Sequence, residues 1–85
     1  NLTTIKLTHC MPITISKEKV PNLKNIIYKY DGSYPDTYMY DRTLDISTYE
    51  ASDLDFVETE WIKTLYVSQS VRDNFPLNAD KIIIK

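Results

Sequence analysis

Hydrophobic and polar residues alternate along two short segments near the start of the chain. In residues 2–8, Ile5 and Leu7 alternate with polar residues, and residues 13–15 continue the same pattern. A period of two places the apolar side chains on one face of an extended strand. Pro12, which cannot donate a backbone hydrogen bond, lies between the two segments. The pattern therefore predicts a β-hairpin with Pro12 at its rim.

Residues 16–30 carry apolar residues at the spacing of an α-helix. Pro21 has no backbone N–H and suits the first turn, so we expect the helix to begin there and not at Ser16. Gly32 follows at the position where a helix commonly stops. The apolar stripe of this first helix comprises Val20, Leu23, Ile26, Ile27 and Tyr30.

Two further segments predict strands. Residues 37–42 look extended, and in residues 43–49 Leu44 and Ile46 alternate with polar side chains, which indicates one buried face and one wet face. Residues 81–85 place three isoleucines between two lysines, an arrangement typical of a strand whose ends are guarded against edge pairing.

A second helix is predicted over residues 52–65. Ser52 and Asp55 have the spacing of a capping box, which opens a helix. The alternative is a strand over residues 61–67, because Trp, Ile, Thr, Tyr and Val all favour strands. The apolar stripe of the second helix would comprise Leu54, Val57, Trp61, Ile62 and Leu65.

The order of these elements predicts a small α+β domain. A hairpin and a helix packed on a mostly antiparallel sheet would be followed by a second helix and a C-terminal strand. Residues 1–85 have the length of a single globular domain, and the pattern suggests no internal repeat. The element order of the first 30 residues is similar to that of the ubiquitin-like β-grasp. That resemblance rests on no motif and implies a fold alone.

Composition indicates a folded protein inside a cell. The chain has ten aromatic residues, one cysteine and no apolar run long enough to span a bilayer. A lone cysteine cannot form an internal disulfide, which favours a reducing, cytoplasmic setting and predicts no membrane association. Residues with AT-rich codons outnumber those with GC-rich codons, a bias shared by many bacteria, phages and large DNA viruses. For a viral protein this setting would be the host cell.

Charge is strongly segregated along the chain, although the net charge is only −2. Residues 1–30 hold five lysines and one glutamate, whereas residues 31–60 hold nine carboxylates and one cation, Arg42. Such segregation bears on partners and not on fold. The nine carboxylates are Asp31, Asp36, Asp41, Asp45, Glu50, Asp53, Asp55, Glu58 and Glu60.

Residues that could support catalysis or bind metal are few. His9 and Cys10 are adjacent, and on an extended chain adjacent side chains point to opposite faces. Asp31, Ser33 and Asp36 lack the glycine and glutamate spacing of a calcium loop, and a single glycine cannot build a phosphate-binding loop. The sequence therefore predicts no enzyme activity, no cofactor and no metal site.

The acidic, tyrosine-rich middle of the chain is the candidate binding surface. Tyrosine supplies contact area and a polar tip, and it is enriched in interfaces. We predict a protein-interaction domain, such as a small inhibitor or adaptor of phage or viral type, that binds a basic protein. The predicted contact residues are Asp31, Tyr34, Asp36, Tyr38, Tyr40, Asp41, Asp45, Tyr49, Asp53, Asp55, Glu58 and Glu60.

Three alternatives concern nucleic acid and self-association. Carboxylates of the middle strands and the second helix could together imitate nucleic acid and inhibit a protein that binds it. The lysine-rich N-terminal third could bind nucleic acid, with Lys24 and Tyr28 on one helical flank, although few arginines and an acidic pI near 5.2 disfavour this. Oppositely charged regions of two copies could also dock head to tail and form a homo-oligomer.

Overall fold

The structure, a computed structural model, describes residues 2–7, 13–29, 43–60 and 62–85. These residues form seven strands, one short α-helix and one 3₁₀ turn, Ala51–Asp53. Helix α1 spans Gln69–Asn74. The strands are β1 (Thr4–Leu7), β2 (Ile13–Thr14), β3 (Asn25–Tyr28), β4 (Thr43–Asp45), β5 (Phe56–Thr59), β6 (Ile62–Val67) and β7 (Ala79–Ile84).

The strands lie in two parallel sheets. Sheet 1 has the order β1-β3-β5, and sheet 2 has the order β2-β4-β6-β7. Successive strands through β6 alternate between the sheets, so the chain winds as a coil in the manner of a solenoid. After β6 the chain passes through α1 and returns to sheet 2 as β7. Among the described residues, the fourth turn of the coil therefore adds a strand to sheet 2 alone.

Apolar side chains stack in columns across each sheet. Residues of both sheets belong to one hydrophobic cluster, so the core lies between the sheets. The strand register aligns a column in sheet 1 that consists of Ile5, Ile26 and Val57. The corresponding column in sheet 2 consists of Ile13, Leu44, Leu65 and Ile82.

The register also reveals an internal repeat, which the sequence pattern did not predict. Each strand of sheet 1 follows a leucine, with core positions three and five residues after it. Thr4 pairs with Asn25 and Asn25 pairs with Phe56, so the copies are 21 and 31 residues apart. These unequal spacings hide the repeat from a search for a fixed period. The copies are Leu2-x-x-Ile5-x-Leu7, Leu23-x-x-Ile26-x-Tyr28 and Leu54-x-x-Val57-x-Thr59.

The predicted α+β fold is wrong in its first half. β1 and β2 lie in different sheets and form no hairpin, because β1 pairs with β3 in parallel. The helix predicted from Pro21 is also wrong, since Asn25–Tyr28 forms the central strand of sheet 1. Ile26 fits the helical spacing with Leu23 and the strand spacing with Tyr28, and pairing on both sides of β3 favours the strand. The likeness to a β-grasp fails with these two elements.

The second half also differs from the prediction. The segment expected to form a second helix contains the 3₁₀ turn, β5 and the start of β6. The alternative strand over residues 61–67 is confirmed by β6, and the C-terminal strand by β7. Leu54, Val57, Ile62 and Leu65 are buried as the helical stripe required, but strands and a turn carry them. Both sheets are parallel, so the predicted antiparallel sheet is wrong.

Within these ranges, no helix has the length and apolar character needed to cross a bilayer. Helix α1 has six residues and is capped by Ser68, whose hydroxyl accepts a hydrogen bond from the Val71 N–H. Such a cap satisfies one of the free N–H groups of the first turn.

Candidate protein-binding groove along β5

Sheet 1 ends at β5, and a groove runs along that edge. The groove has a volume of about 650 Å³ and is lined by residues 56–60 and residues 76–78. We call it the edge groove. It exists because sheet 2 continues with β7 in the fourth turn, whereas the described residues place no strand beside β5 in sheet 1. The edge groove therefore lies where the next strand of sheet 1 would be.

The core side of the edge groove is apolar and ordered by hydrogen bonds. Val57 and Thr59 are 4% and 5% exposed and form its floor. The Thr59 hydroxyl accepts a hydrogen bond of 2.8 Å from the Asn78 N–H, which holds residues 76–78 against the end of β5. Phe56 is 45% exposed at the mouth of the groove, a high value for an aromatic side chain.

Backbone groups of β5 face the groove at every second residue. The N–H groups of Phe56 and Glu60 donate to β3 and its flank, at Lys24 O (3.2 Å) and Tyr28 O (2.8 Å). Backbone groups in a strand alternate in direction, so those of Val57 and Thr59 point away from β3 and into the groove. This is the arrangement of an edge strand that can accept another strand.

The outer side of the edge groove is acidic. Glu58 and Glu60 line it, and Asp55 lies exposed just before β5. Lys29 Nζ approaches Glu58 Oε1 to 2.7 Å, and the hydrogen bond and charge of Glu58 raise the pKa of Lys29. Both side chains are more than a third exposed, so solvent screens this pair and leaves Glu58 available to a second cation.

The structure gathers three of the predicted contact residues and separates others. Glu58 lies on β5, with Asp55 immediately before the strand and Glu60 immediately after it, whereas Asp45 lies on β4 of the other sheet. Tyr49 is completely buried and is a core residue. The remaining predicted contacts outside the described residues are Asp31, Tyr34, Asp36, Tyr38, Tyr40 and Asp41.

Asp53 is tied to a lysine of the same chain. Lys17 Nζ lies 2.8 Å from Asp53 Oδ1, and the Glu50 N–H donates to Asp53 Oδ2 at 2.8 Å. The Lys17 hydrogen bond, followed by that of Glu50, holds the pKa of Asp53 below its usual value of 3.8. Asp53 therefore serves the turn before β5 and is not a free element of a docking surface.

Asp45 is bound in a similar way on sheet 2. It accepts hydrogen bonds from the Ser47 N–H (3.0 Å) and hydroxyl (2.6 Å), and Lys85 Nζ lies 3.0 Å away. Burial acts to raise the pKa of Asp45, but the hydrogen bonds from Ser47 and Lys85 outweigh it, so the pKa lies below 3.8. Lys85 Nζ also lies 4.5 Å from the centre of the Tyr66 ring, a cation–π contact.

We expect Asp45→Asn to lower the free energy of unfolding at neutral pH by about 1 kcal/mol, after allowance for solvent screening. A lowered folded pKa gives stability that is present above 3.8 and is lost as the pH falls through the lowered value. Urea unfolding at several pH values should therefore show the wild-type advantage at pH 7 and its loss near pH 2. Asp80→Asn, at an exposed position of β7, is the control. If the difference in free energy of unfolding between wild type and Asp45→Asn did not shrink in acid, the lowered pKa of Asp45 would not be its cause.

Two premises of the nucleic-acid alternatives are also corrected. A second helix was expected to carry Asp53, Asp55, Glu58 and Glu60. Asp53 instead ends the 3₁₀ turn, Glu58 lies on β5, and Asp55 and Glu60 flank that strand, so no helical array of charge forms there. Tyr28 is buried on β3 and does not share an exposed helical flank with Lys24.

Sequence reasoning missed the apolar part of the edge groove. Phe56 lies outside the predicted helical stripe, and Leu77 and Asn78 lie outside every helix and strand that the sequence predicts. A usable signal was the repeat itself, because Leu54 precedes Val57 and Thr59 at the spacing that Leu2 and Leu23 show in the other two copies, which marks Phe56–Thr59 as a strand of sheet 1.

In the part of the chain that the structure describes, no three His, Cys, Asp or Glu side chains converge as metal ligands would. The residues considered for such chemistry from the sequence lie outside it: His9, Cys10, Asp31, Ser33 and Asp36.

No protein-family model, no curated protein and no solved structure matches this chain.

Proposed function

We propose that this chain is a non-enzymatic protein-interaction module that binds a basic segment of another protein at the edge groove. The observation that carries the proposal is the coincidence of an acidic strand edge with a groove that no strand of the described residues fills. It would act as a small inhibitor or adaptor, in an intracellular and reducing setting that suits its lone cysteine.

The chemistry of the edge groove suits a protein partner. Phe56 and Leu77 offer apolar contact, and Glu58 and Glu60 supply negative charge beside it. Interfaces commonly combine an apolar centre with a charged rim, and charge complementarity speeds association and selects partners. Asp45, Asp53 and Glu58 each pair with a lysine of the same chain, but the Glu58 side chain is the most exposed of the three and so remains the most accessible to a partner.

The scaffold supports the same proposal. Stacked repeats present long, regular surfaces, and proteins of this architecture use them for binding. The L-x-x-I-x-L spacing of each sheet 1 strand is similar to the strand segment of leucine-rich repeats. That similarity concerns spacing alone.

The test is binding of a fluorescent octalysine peptide, measured by anisotropy at about 20 and 200 mM salt, across which screening grows several-fold. We expect Glu58→Lys with Glu60→Lys to weaken binding at low salt by about tenfold, roughly 1.4 kcal/mol. The matched control is Glu18→Lys with Asp73→Lys, which raises the net charge equally at exposed positions outside the groove. If both double variants lost the same affinity, octalysine binding would depend on net charge alone, and the edge groove would not be the binding site.

A further inference from the structure

We infer that the edge groove binds an extended segment as a fourth strand of sheet 1, and that this segment carries a basic residue between two aliphatic residues. The inference rests on the proposed function for its site and adds the conformation and residue pattern of the occupant. Binding by strand addition supplies affinity through main-chain hydrogen bonds and specificity through alternate side chains.

Within the described ranges, the fourth turn of the coil has no strand on the side of the groove. Leu44 and Leu65, in the inner turns of sheet 2, are completely buried. Ile82 in the same column and Leu77 are only partly buried, although both pack on the core. A strand beside β5 would lie opposite β7 and cover these side chains, as β5 and β6 lie opposite each other in the third turn.

The backbone of β5 fixes how such a strand would pair. In a parallel pair, a bonded residue donates its N–H to the carbonyl of the residue before the one that it faces. Its own carbonyl accepts from the N–H of the residue after the one that it faces. A ligand residue facing Glu58 would donate its N–H to Val57 O and accept from the Thr59 N–H. Its two neighbours would direct their own N–H groups away from β5. All five strand pairs that the described residues form are parallel, so the parallel direction continues the sheet.

The side-chain columns give the residue pattern. On the core side, Ile5, Ile26 and Val57 form one column, which calls for an aliphatic residue next to Val57. The neighbouring column ends in the buried Thr59 and calls for a second aliphatic residue. On the outer side the ligand residue faces Glu58, whose carboxylate can accept from a ligand cation as well as from Lys29.

The pattern is therefore aliphatic-basic-aliphatic, and β1 carries it as Ile5-Lys6-Leu7. A second copy could not insert as a rigid coil, because β7 already occupies the sheet 2 position that its β2 would need. The occupant is a single extended segment of a partner protein. The sequence of β1 serves as a probe because it already pairs with this sheet.

The experiment measures binding of a fluorescent, end-blocked peptide with the sequence of residues 3–8 to the whole chain. N-methylation of its lysine keeps the charge but removes the N–H that would donate to Val57 O, and we expect at least a tenfold loss of affinity. N-methylation of its leucine blocks an N–H that points away from β5, and we expect less than about a twofold change, within the range of a surface effect. This pair of peptides is matched in charge and composition.

A charge exchange tests the facing residue. Glu58→Lys should weaken binding of the lysine peptide by about fivefold, and a peptide with glutamate in place of lysine should recover it on that variant. Equal binding of the two N-methylated peptides, or absence of binding at about 1 mM peptide, where affinity corresponds to roughly 4 kcal/mol, would overturn strand addition. Octalysine binding that still depended on Glu58 and Glu60 would leave the proposed function standing in that case.

A second copy of the chain is the alternative occupant of the edge groove, and its binding would appear as self-association. Light scattering of the chain alone should show a monomer. An oligomer that both Lys6→Glu and Glu58→Lys dissolve, and that the double exchange restores, would identify a second copy as the occupant and overturn the inference of a separate partner.

Discussion

Replacement of Leu65 by alanine is expected to lower the free energy of unfolding by about 3 to 5 kcal/mol, the range for a buried leucine whose surroundings cannot collapse. Leu65 is completely buried on β6, with Leu44 beside it on β4 and Ile82 on β7. Hydrogen-bonded strands on both sides hold the backbone in place, so the cavity would remain. A small domain with about 5 to 15 kcal/mol of stability would lose a large part of it.

Urea unfolding followed by circular dichroism measures this loss. Leu2→Ala is the matched control, because Leu2 is 52% exposed, and its cost should stay within about 0.5 kcal/mol. Similar costs at the two positions would mean that sheet 2 does not form the centre of the core.

The sequence identified several strands but not how they pair. Alternating residues around Leu44 and the apolar run in residues 81–85 correctly indicated β4 and β7. Pairing in a parallel coil joins residues 17 to 31 positions apart, such as Thr64 with Lys81 and Ile13 with Leu44. No local pattern encodes a partner at that distance, whereas the short separation of the first two segments favoured a hairpin.

Helix and strand were confused where apolar residues satisfied both periods. Leu23, Ile26 and Ile27 lie at helical spacing, and Ile26 and Tyr28 lie at strand spacing. Over a segment this short the two patterns share most of their positions. The neighbouring strands β1 and β5, which supply hydrogen bonds on both sides of β3, decided the outcome.

The sequence indicated the acidic residues of the candidate site but not the groove beside them. The excess of carboxylates is a property of the sequence, and Asp55, Glu58 and Glu60 were among the predicted contacts. Which carboxylates the protein's own lysines occupy depends on folding, since Lys85 and Asp45 are 40 residues apart. The edge groove lies at a strand position beside β5 that no described residue occupies, and only the sheet topology reveals it.

Tyr49→Ala is expected to cost about 3 to 5 kcal/mol, and Tyr49→Phe about 1 to 3 kcal/mol. Tyr49 is completely buried, and its hydroxyl donates to Val20 O at 2.7 Å, with Ser16 O at 3.3 Å. Its own carbonyl accepts from the Ser68 hydroxyl at 2.7 Å, so it joins the segment after β2 to the start of α1. Phenylalanine would keep the packing and leave Val20 O with only the longer hydrogen bond from the Leu23 N–H, at 3.4 Å.

The dependence on pH separates the hydroxyl from the ring. Burial, with a smaller effect of Asp53, raises the pKa of Tyr49 above its ordinary value of 10.0. A raised folded pKa gives stability that is complete below pH 10 and declines as the pH rises toward the folded value, because the unfolded chain ionises first. The stability gap between wild type and Tyr49→Phe, measured by urea unfolding, should therefore be constant from about pH 6 to 9 and shrink above pH 10. A gap that stayed constant to higher pH would mean that the Tyr49 hydroxyl is not held in the buried hydrogen bond to Val20.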